Sequence, residues 1–215
     1  MQLTIGKTDD FPVSGDGRSP NWTAAEWHSL RRAGRGTADY RTRFKVLYSD
    51  SGIYFLVDCQ DRILHCTLTE DNADLYNEDV VEVFLWPDET QTLYFEYELS
   101  PLNRELPILV SNCRGTFHGW LPWHYEGERR AQHATSVRGG EKRSMAQVQG
   151  WSGEFFFPFI LFEGLGNMPP ASGTLWRANV CRLDYDTQPR SHWTWCPEVG
   201  DEFHDFEHFG TFRFA

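Results

Sequence analysis

An all-β chain, folded as an antiparallel β-sandwich of the immunoglobulin-like or jelly-roll type with little helix, is what the sequence predicts. Three observations carry that expectation. Short stretches alternate apolar with polar residues at period 2, as in Val81-Glu-Val-Phe-Leu and Leu93-Tyr-Phe-Glu-Tyr-Glu-Leu. Glycine, proline, serine and aspartate turn signals separate these stretches at regular intervals. Long runs with helical period are lacking. Glycine and proline are scattered and no linker-like segment divides the chain, so a single domain over residues 1–215 is expected.

The elements follow in order. The first forty residues read as irregular, apart from one or two helical turns around Trp22-Thr-Ala-Ala-Glu-Trp27, where alanine and glutamate favour helix. Arg43 to Tyr48 and Ile53 to Val57 flank Ser49-Asp-Ser-Gly52, a hairpin signal. Five consecutive apolar residues in the second of these strands imply burial on both faces. Pro107 to Val110 is a further strand, and Trp120 and Trp123 supply two more rings. The polar run 124–147, with Arg129, Arg130, Arg138, Lys142 and Arg143, reads as a solvated hairpin. Strands recur from Trp151 to the proline at 158, from Trp176 to Asp184 and from Thr211 to Phe214.

The most informative element is the hairpin that runs from Leu75-Tyr-Asn-Glu-Asp into Val80, turns near residue 89 or 90, and returns through Leu93 to Leu99. Glu82 then lies opposite Glu96 or Glu98 among aromatic rings. Like charges in that arrangement repel, so an arginine, a bound cation or the hydroxyls of a polar ligand must compensate them.

Composition narrows the partners. Twenty basic against 31 acidic residues leave a net charge of −11, which argues against nucleic acid and anionic membrane surfaces and favours neutral polyols or cations. No apolar run approaches the roughly 18 residues of a membrane span. Met1-Gln-Leu-Thr-Ile lacks the basic and apolar regions of a secretory leader, so the chain as written is expected to remain in the cytoplasm; an extracellular or periplasmic place would follow if a leader had been removed. Cys59, Cys66, Cys113, Cys181 and Cys196 are odd in number and widely spaced, as expected of buried thiols in a reducing compartment, with a Cys181–Cys196 disulfide left open.

Several chemistries can be weighed. No nucleophile elbow, phosphate-binding loop or dinucleotide fingerprint is present. His204-Asp-Phe-Glu-His208 matches an inverted zinc-peptidase pattern but leaves too little chain beyond it for a third ligand. Glu82 with Glu96 or Glu98 could act as the acid and base of a glycoside hydrolase. Haem, with Met145 or Met168 as axial ligand, is a weaker alternative. Binding fits the residues better. A sugar needs flat rings for its C–H faces and carboxylate or guanidinium groups for its hydroxyls, and the chain holds nine tryptophans, eight tyrosines and sixteen phenylalanines among charged residues. Tyr76, Trp86 and Phe203 have the best claim to be exposed. Asp58, Asp61, Asp71, Asp74 and Asp79 crowd the approach to the acidic strand; Asp61, Asp71 and Asp74 are the calcium-ligand candidates.

The order of these motifs resembles the family 9 carbohydrate-binding modules over nearly the whole chain. The resemblance runs from Asp16-Gly to Trp27, through Phe44 to Phe55 with Asp61 after it, to the acidic hairpin. It continues through Trp151-Ser-Gly-Glu-Phe-Phe-Phe-Pro, Trp176-Arg-Ala-Asn-Val-Cys-Arg and Phe203-His-Asp-Phe-Glu-His-Phe-Gly. It implies a β-sandwich that holds a sugar, often a reducing end, between two aromatic rings, without chemistry and with structural calcium nearby. The context it implies is polysaccharide degradation. Tyr76 and Phe203 stand where the family places two tryptophans, and Glu82 stands at the carboxylate that bonds sugar hydroxyls. Glu96 replaces an arginine, and Arg182 is the candidate for the missing cation. Glu98, Trp86 and His204 complete the expected ligand-binding set, with a mono-, di- or polysaccharide as partner.

Overall fold

The computed structural model describes residues 1–123, 125–200 and 202–215, so position 124 of the polar run lies outside the described residues. Among them fourteen strands form: β1 (Gln2–Lys7), β2 (His28–Ser29), β3 (Arg31–Ala33), β4 (Thr42–Tyr48), β5 (Gly52–Gln60), β6 (Val80–Trp86), β7 (Leu93–Leu99), β8 (Glu105–Cys113), β9 (Thr116–Pro122), β10 (Gln132–Arg138), β11 (Gly150–Pro158), β12 (Leu175–Asp184), β13 (Ser191–Thr194) and β14 (Gly210–Phe214). Helix is confined to single 3₁₀ turns such as Pro20–Ala24, whose N-cap Ser19 accepts a hydrogen bond from the Asn21 N–H.

The strands follow the order β10-β11-β5-β4-β1-β14-β12-β6-β7-β8-β9, one continuous curled sheet. Its pairing is antiparallel except at β1, which runs parallel to β14 through Gln2–Ile5 and parallel to β4 through Gly6 and Lys7. The expectation of a purely antiparallel sheet is thereby corrected to a mixed one. Hairpins force antiparallel pairing, but no short turn joins β1 to either neighbour, so its direction is set by packing instead. Only Ile5 of β1 is deeply buried, which left the strand without a readable alternation.

Two hairpins show how local sequence makes the sheet. Ser49 and Gly52 close the β4–β5 turn with a Ser49 N–H to Gly52 carbonyl bond of 2.8 Å. Arg114 and Gly115, with φ of 52° and 77°, close β8 onto β9 as two consecutive positive-φ residues should. The polar run does not form a hairpin of its own. It yields β10, which pairs with β11, and Arg138 at its end reaches Asp58 at 2.6 Å.

Curling brings the two halves face to face. Phe55, Phe155 and Phe157 of β5 and β11 meet Phe95, Tyr97 and Phe212, with ring centroids 4.7 Å apart for Tyr97–Phe157 and 5.4 Å for Phe95–Phe157. Val81, Val83 and Leu85 of β6 turn into the same core. By period 2 the alternate residues Glu82 and Phe84 of β6, with Tyr94, Glu96 and Glu98 of β7, face the other way. That face is covered by the segment 202–209, and Phe206 packs against Trp86 at 5.6 Å while Phe209 packs against Phe84 at 5.4 Å. Cover on both sides is why every residue of β6 is buried. All five cysteines are free; four are buried as expected, but Cys113, at the end of β8, is exposed.

A candidate ligand-binding cleft

The covered face opens into a cleft of about 270 Å³ whose floor is Glu82, Glu96 and Glu98. The β6–β7 register sets Glu82 directly opposite Glu98, with Glu96 two residues earlier on the same face. One oxygen from each of the three carboxyls can be chosen so that all lie within 4.8 Å of one another, and all three residues are buried. Oε2 of Glu96 and Oε2 of Glu98 are buried without a hydrogen-bond partner.

Burial dominates their titration. It pushes Glu82 up to about 8, opposed by the nearby Arg190 charge. It raises Glu96 and Glu98 well above the carboxylate range, and repulsion from Glu82 adds to both. Burial therefore favours the protonated form of the floor carboxyls, which relieves the like-charge clash of adjacent strands.

The walls come from loops. Tyr76 belongs to the 3₁₀ turn Leu75–Asn77 and meets Trp120 of β9 edge-on at 6.2 Å. Phe203 enters from the C-terminal segment against the His192 ring at 5.4 Å. His204 places Nδ1 2.8 Å from the Tyr94 hydroxyl and 3.8 Å from Glu96 Oε2. Burial pushes its pKa down to about 4, so the ring is neutral. Arg190 supplies the guanidinium: Nη1 donates to the Tyr76 carbonyl at 3.1 Å and to the Tyr185 hydroxyl at 2.5 Å, and Nε donates to His192 Nε2 at 3.0 Å.

Of the expected ligand residues, Tyr76, Glu82, Glu96, Glu98, Phe203 and His204 line this cleft, and two do not. Trp86 lies farther along the strand, 8 % exposed, with its indole N–H bonded to the Gln91 carbonyl. Phe203 is only 7 % exposed, so neither it nor Trp86 is the open ring its polar neighbours suggested. Arg182 pairs with Val81, not with Glu82, so period 2 sends it into the interior. There its Nη2 bonds Asp61 at 3.1 Å and Asp184 at 2.6 Å, and Nη1 bonds Thr42 and the Gln60 carbonyl. The cation of the cleft is Arg190, which follows the strand-breaking Gln188-Pro189 and carried no alternation signal. Trp120, His192 and Glu202 also line it without having been singled out; only a ring count pointed to Trp120.

Asp61, Asp71 and Asp74 do not come together. Asp71 accepts from the Glu105 N–H at 3.3 Å, and Asp74 sits at the N-cap of the Tyr76 turn. Asp61 instead joins Asp184 and Asp186, and that trio is already crossed by Arg182 and held by Tyr40 and His65. The His204–His208 pattern does not converge either: His204 turns into the cleft while His208, half exposed, bonds Asp205 at 2.8 Å. Met145, a candidate haem ligand, is 51 % exposed.

Comparison with known proteins agrees with the earlier resemblance. Residues 13–106 match the family model described as carbohydrate family 9 binding domain-like. That match spans less than half of the chain and marks a likeness to the family. No curated protein matches it. Among solved structures, a protein from Bacteroides uniformis assigned as carbohydrate-binding superposes with a TM-score of 0.80 at 15 % identity, over 100 % of this chain and 99 % of the other. A family 9 carbohydrate-binding module from Caldicellulosiruptor kristjanssonii in complex with cellotriose gives 0.68 at 16 % identity, over 100 % and 94 %. The same organism's module in complex with glucose gives 0.69 at 16 %, over 100 % and 96 %. At such identities the family 9 modules share this chain's fold, and the stretch similar to the family model, residues 13–106, includes Tyr76 and the acidic hairpin.

Proposed function

We propose that this chain binds the end of a saccharide in the cleft and leaves it uncut. The observation that carries the reading is the combination of a polar carboxyl floor, with two oxygens lacking protein partners, and the rings of Tyr76, Trp120 and Phe203 on its walls. The family 9 modules that share the fold, seen with cellotriose and glucose, support it. Two facing halves of the sheet are read here as the layers of a β-sandwich, and polysaccharide degradation is the setting that such binding fits. Among the described residues the calcium implied by the family has no aspartate trio free of Arg182, so the binding reading makes no use of it.

A glycosidase reading fits the floor less well. Hydrolysis uses two carboxyls facing each other across the bond, about 5–5.5 Å or 6.5–9.5 Å apart, one protonated and the other ionised. Here the three lie side by side on neighbouring strands, and burial raises all of them, so no partner is left as the ionised base or nucleophile. The test is a calorimetric screen of mono- and disaccharides on the wild type, beside product formation over days on a glycan panel. Binding without turnover is expected. Turnover that disappears in Glu82→Gln would overturn the binding reading, and so would the absence of any saccharide affinity.

A further inference from the structure

The floor presents three acids, and the base nearest to one of them is His204, whose Nδ1 is 3.8 Å from Glu96 Oε2. Among the described residues Arg190, whose charge bears on Glu82, directs its hydrogen bonds to Tyr76, Tyr185 and His192. His204 is neutral and bonded to Tyr94. Two carboxyl oxygens, on lining residues 3 % and 1 % exposed, have no hydrogen-bond partner among the described residues. Protonated carboxyls can donate as well as accept, and three of them side by side can also give up a proton to a ligand that brings positive charge.

The spacing of the floor oxygens admits that charge. A primary ammonium has three N–H donors at tetrahedral angles. With charge-assisted N–O distances of about 2.8 Å, its three acceptors lie roughly 4.6 Å apart. The three floor oxygens lie within 4.8 Å of one another. Resting on the saccharide reading above, we infer that the sugar this cleft takes carries a protonated amine, seated on Glu82, Glu96 and Glu98.

The groups facing that seat decide the pH response. Glu202 and His204 approach from the C-terminal segment, Arg190 from just before β13 and His192 from within it. Asp74 and Tyr76 lie at the turn before β6, Tyr94 precedes Glu96 on β7, and the buried Cys181 thiol lies opposite Glu82 on β12. Burial keeps the floor acids protonated without ligand, so an arriving ammonium must displace a proton. A sugar amine that titrates near the α-amino range of about 7.7–8 is still charged at pH 7. Affinity therefore climbs as pH rises toward the amine's own range and declines as the amine loses its proton.

The probes are D-glucosamine, D-glucose and N-acetyl-D-glucosamine, the last with its amine acylated and uncharged. Calorimetry at pH 7 is run in phosphate and in Tris, whose ionisation heats differ. Glucosamine is expected to bind at least about tenfold more tightly than either neutral sugar, with roughly one proton released, and Glu96→Gln or Glu98→Gln is expected to erase the preference. Glucosamine binding no better than glucose would sink the amine inference and leave the saccharide reading standing. Failure of all three sugars and of the wider saccharide screen overturns both. A calcium titration that saturates the wild type but not Glu96→Gln, with no glucosamine preference, would assign the seat to a metal and refute the amine.

Discussion

Glu82→Gln should make the protein more stable in mild alkali, and the size of the effect can be worked from the cleft. The residue is buried, and burial raises its pKa from 4.5 to about 8. Between those values the folded chain holds a proton that the unfolded chain has released. The native state binds more protons, so stability falls as pH rises through that window. A shift of roughly 3.5 units at 1.36 kcal/mol each amounts to about 5 kcal/mol by the top of the window. Glutamine keeps the shape and one acceptor but carries no proton to lose. For a chain of 215 residues, with about 2–4 °C per kcal/mol, the wild-type melting temperature should drop some 10–20 °C more than that of the variant between pH 4.5 and 8.5. Scanning calorimetry on both proteins across that range measures it. Parallel curves would mean that Glu82 is ionised in the folded chain, and the protonated floor would have to be abandoned.

Other substitutions separate the cleft from the frame. Tyr76→Ala should lower saccharide affinity by about 1–2 kcal/mol, from the loss of ring contact, with a shift in melting temperature of only a few degrees; unchanged affinity would remove Tyr76 from the site. Phe203→Ala should lower affinity too but also cost about 3–4 kcal/mol of stability, because the ring is nearly enclosed, and urea denaturation distinguishes this from a surface change. Arg182→Met should cost about 3–5 kcal/mol by stranding Asp61 and Asp184, with sugar affinity of the folded fraction intact; a loss of affinity larger than that of folded protein would contradict its place in the interior. Glu154→Ala should free the N-terminal segment, since this carboxylate accepts from the N–H groups of Ser14 and Gly15 and from the Trp22 indole, and limited proteolysis near residues 14–22 would report it.

Much of the site was legible because it rests on period 2. The alternation of β6 and β7 is enough to put Glu82, Glu96 and Glu98 on one face, and the register only chooses Glu98 over Glu96 as the direct partner. Arg182 shows where such reading fails. Strand order brings β12 beside β6, but which face an arginine takes depends on register to a single residue, and Cys181, not Arg182, lands opposite Glu82. Arg190, His192 and Trp120 were not legible for a different reason. Each owes its place to a loop or edge strand whose path is set by long-range packing, as when Arg190 reaches back 114 residues to the Tyr76 carbonyl. The parallel β1 belongs to the same class, since no local turn encodes its direction.

The cleft breaks a local rule of sheet design in a place where the fold can hold the break. Directly opposed glutamates on adjacent strands should weaken a sheet, yet β6 and β7 are interior strands, flanked by β12 and β8, with an apolar inner face of Val81, Val83, Phe95 and Tyr97. Desolvation removes the conflict by keeping the acids protonated, and the same desolvation leaves two oxygens without partners. The floor thus combines unpartnered carboxyl oxygens with support from interior strands on both sides, a combination that suits recognition better than stability. The walls differ in kind: Tyr76, Arg190 and Phe203 stand on turns, joined by hydrogen bonds and ring contacts to one another's neighbours. Charge selectivity should therefore follow substitutions in β6 and β7. The size and linkage of the sugar accepted should follow substitutions in the turns. Exchanging Tyr76 for tryptophan and Glu96 for glutamine, singly and together, tests that division: additive effects on ligand size and ligand charge support it, and a strong coupling between the two would show that floor and wall respond as one unit.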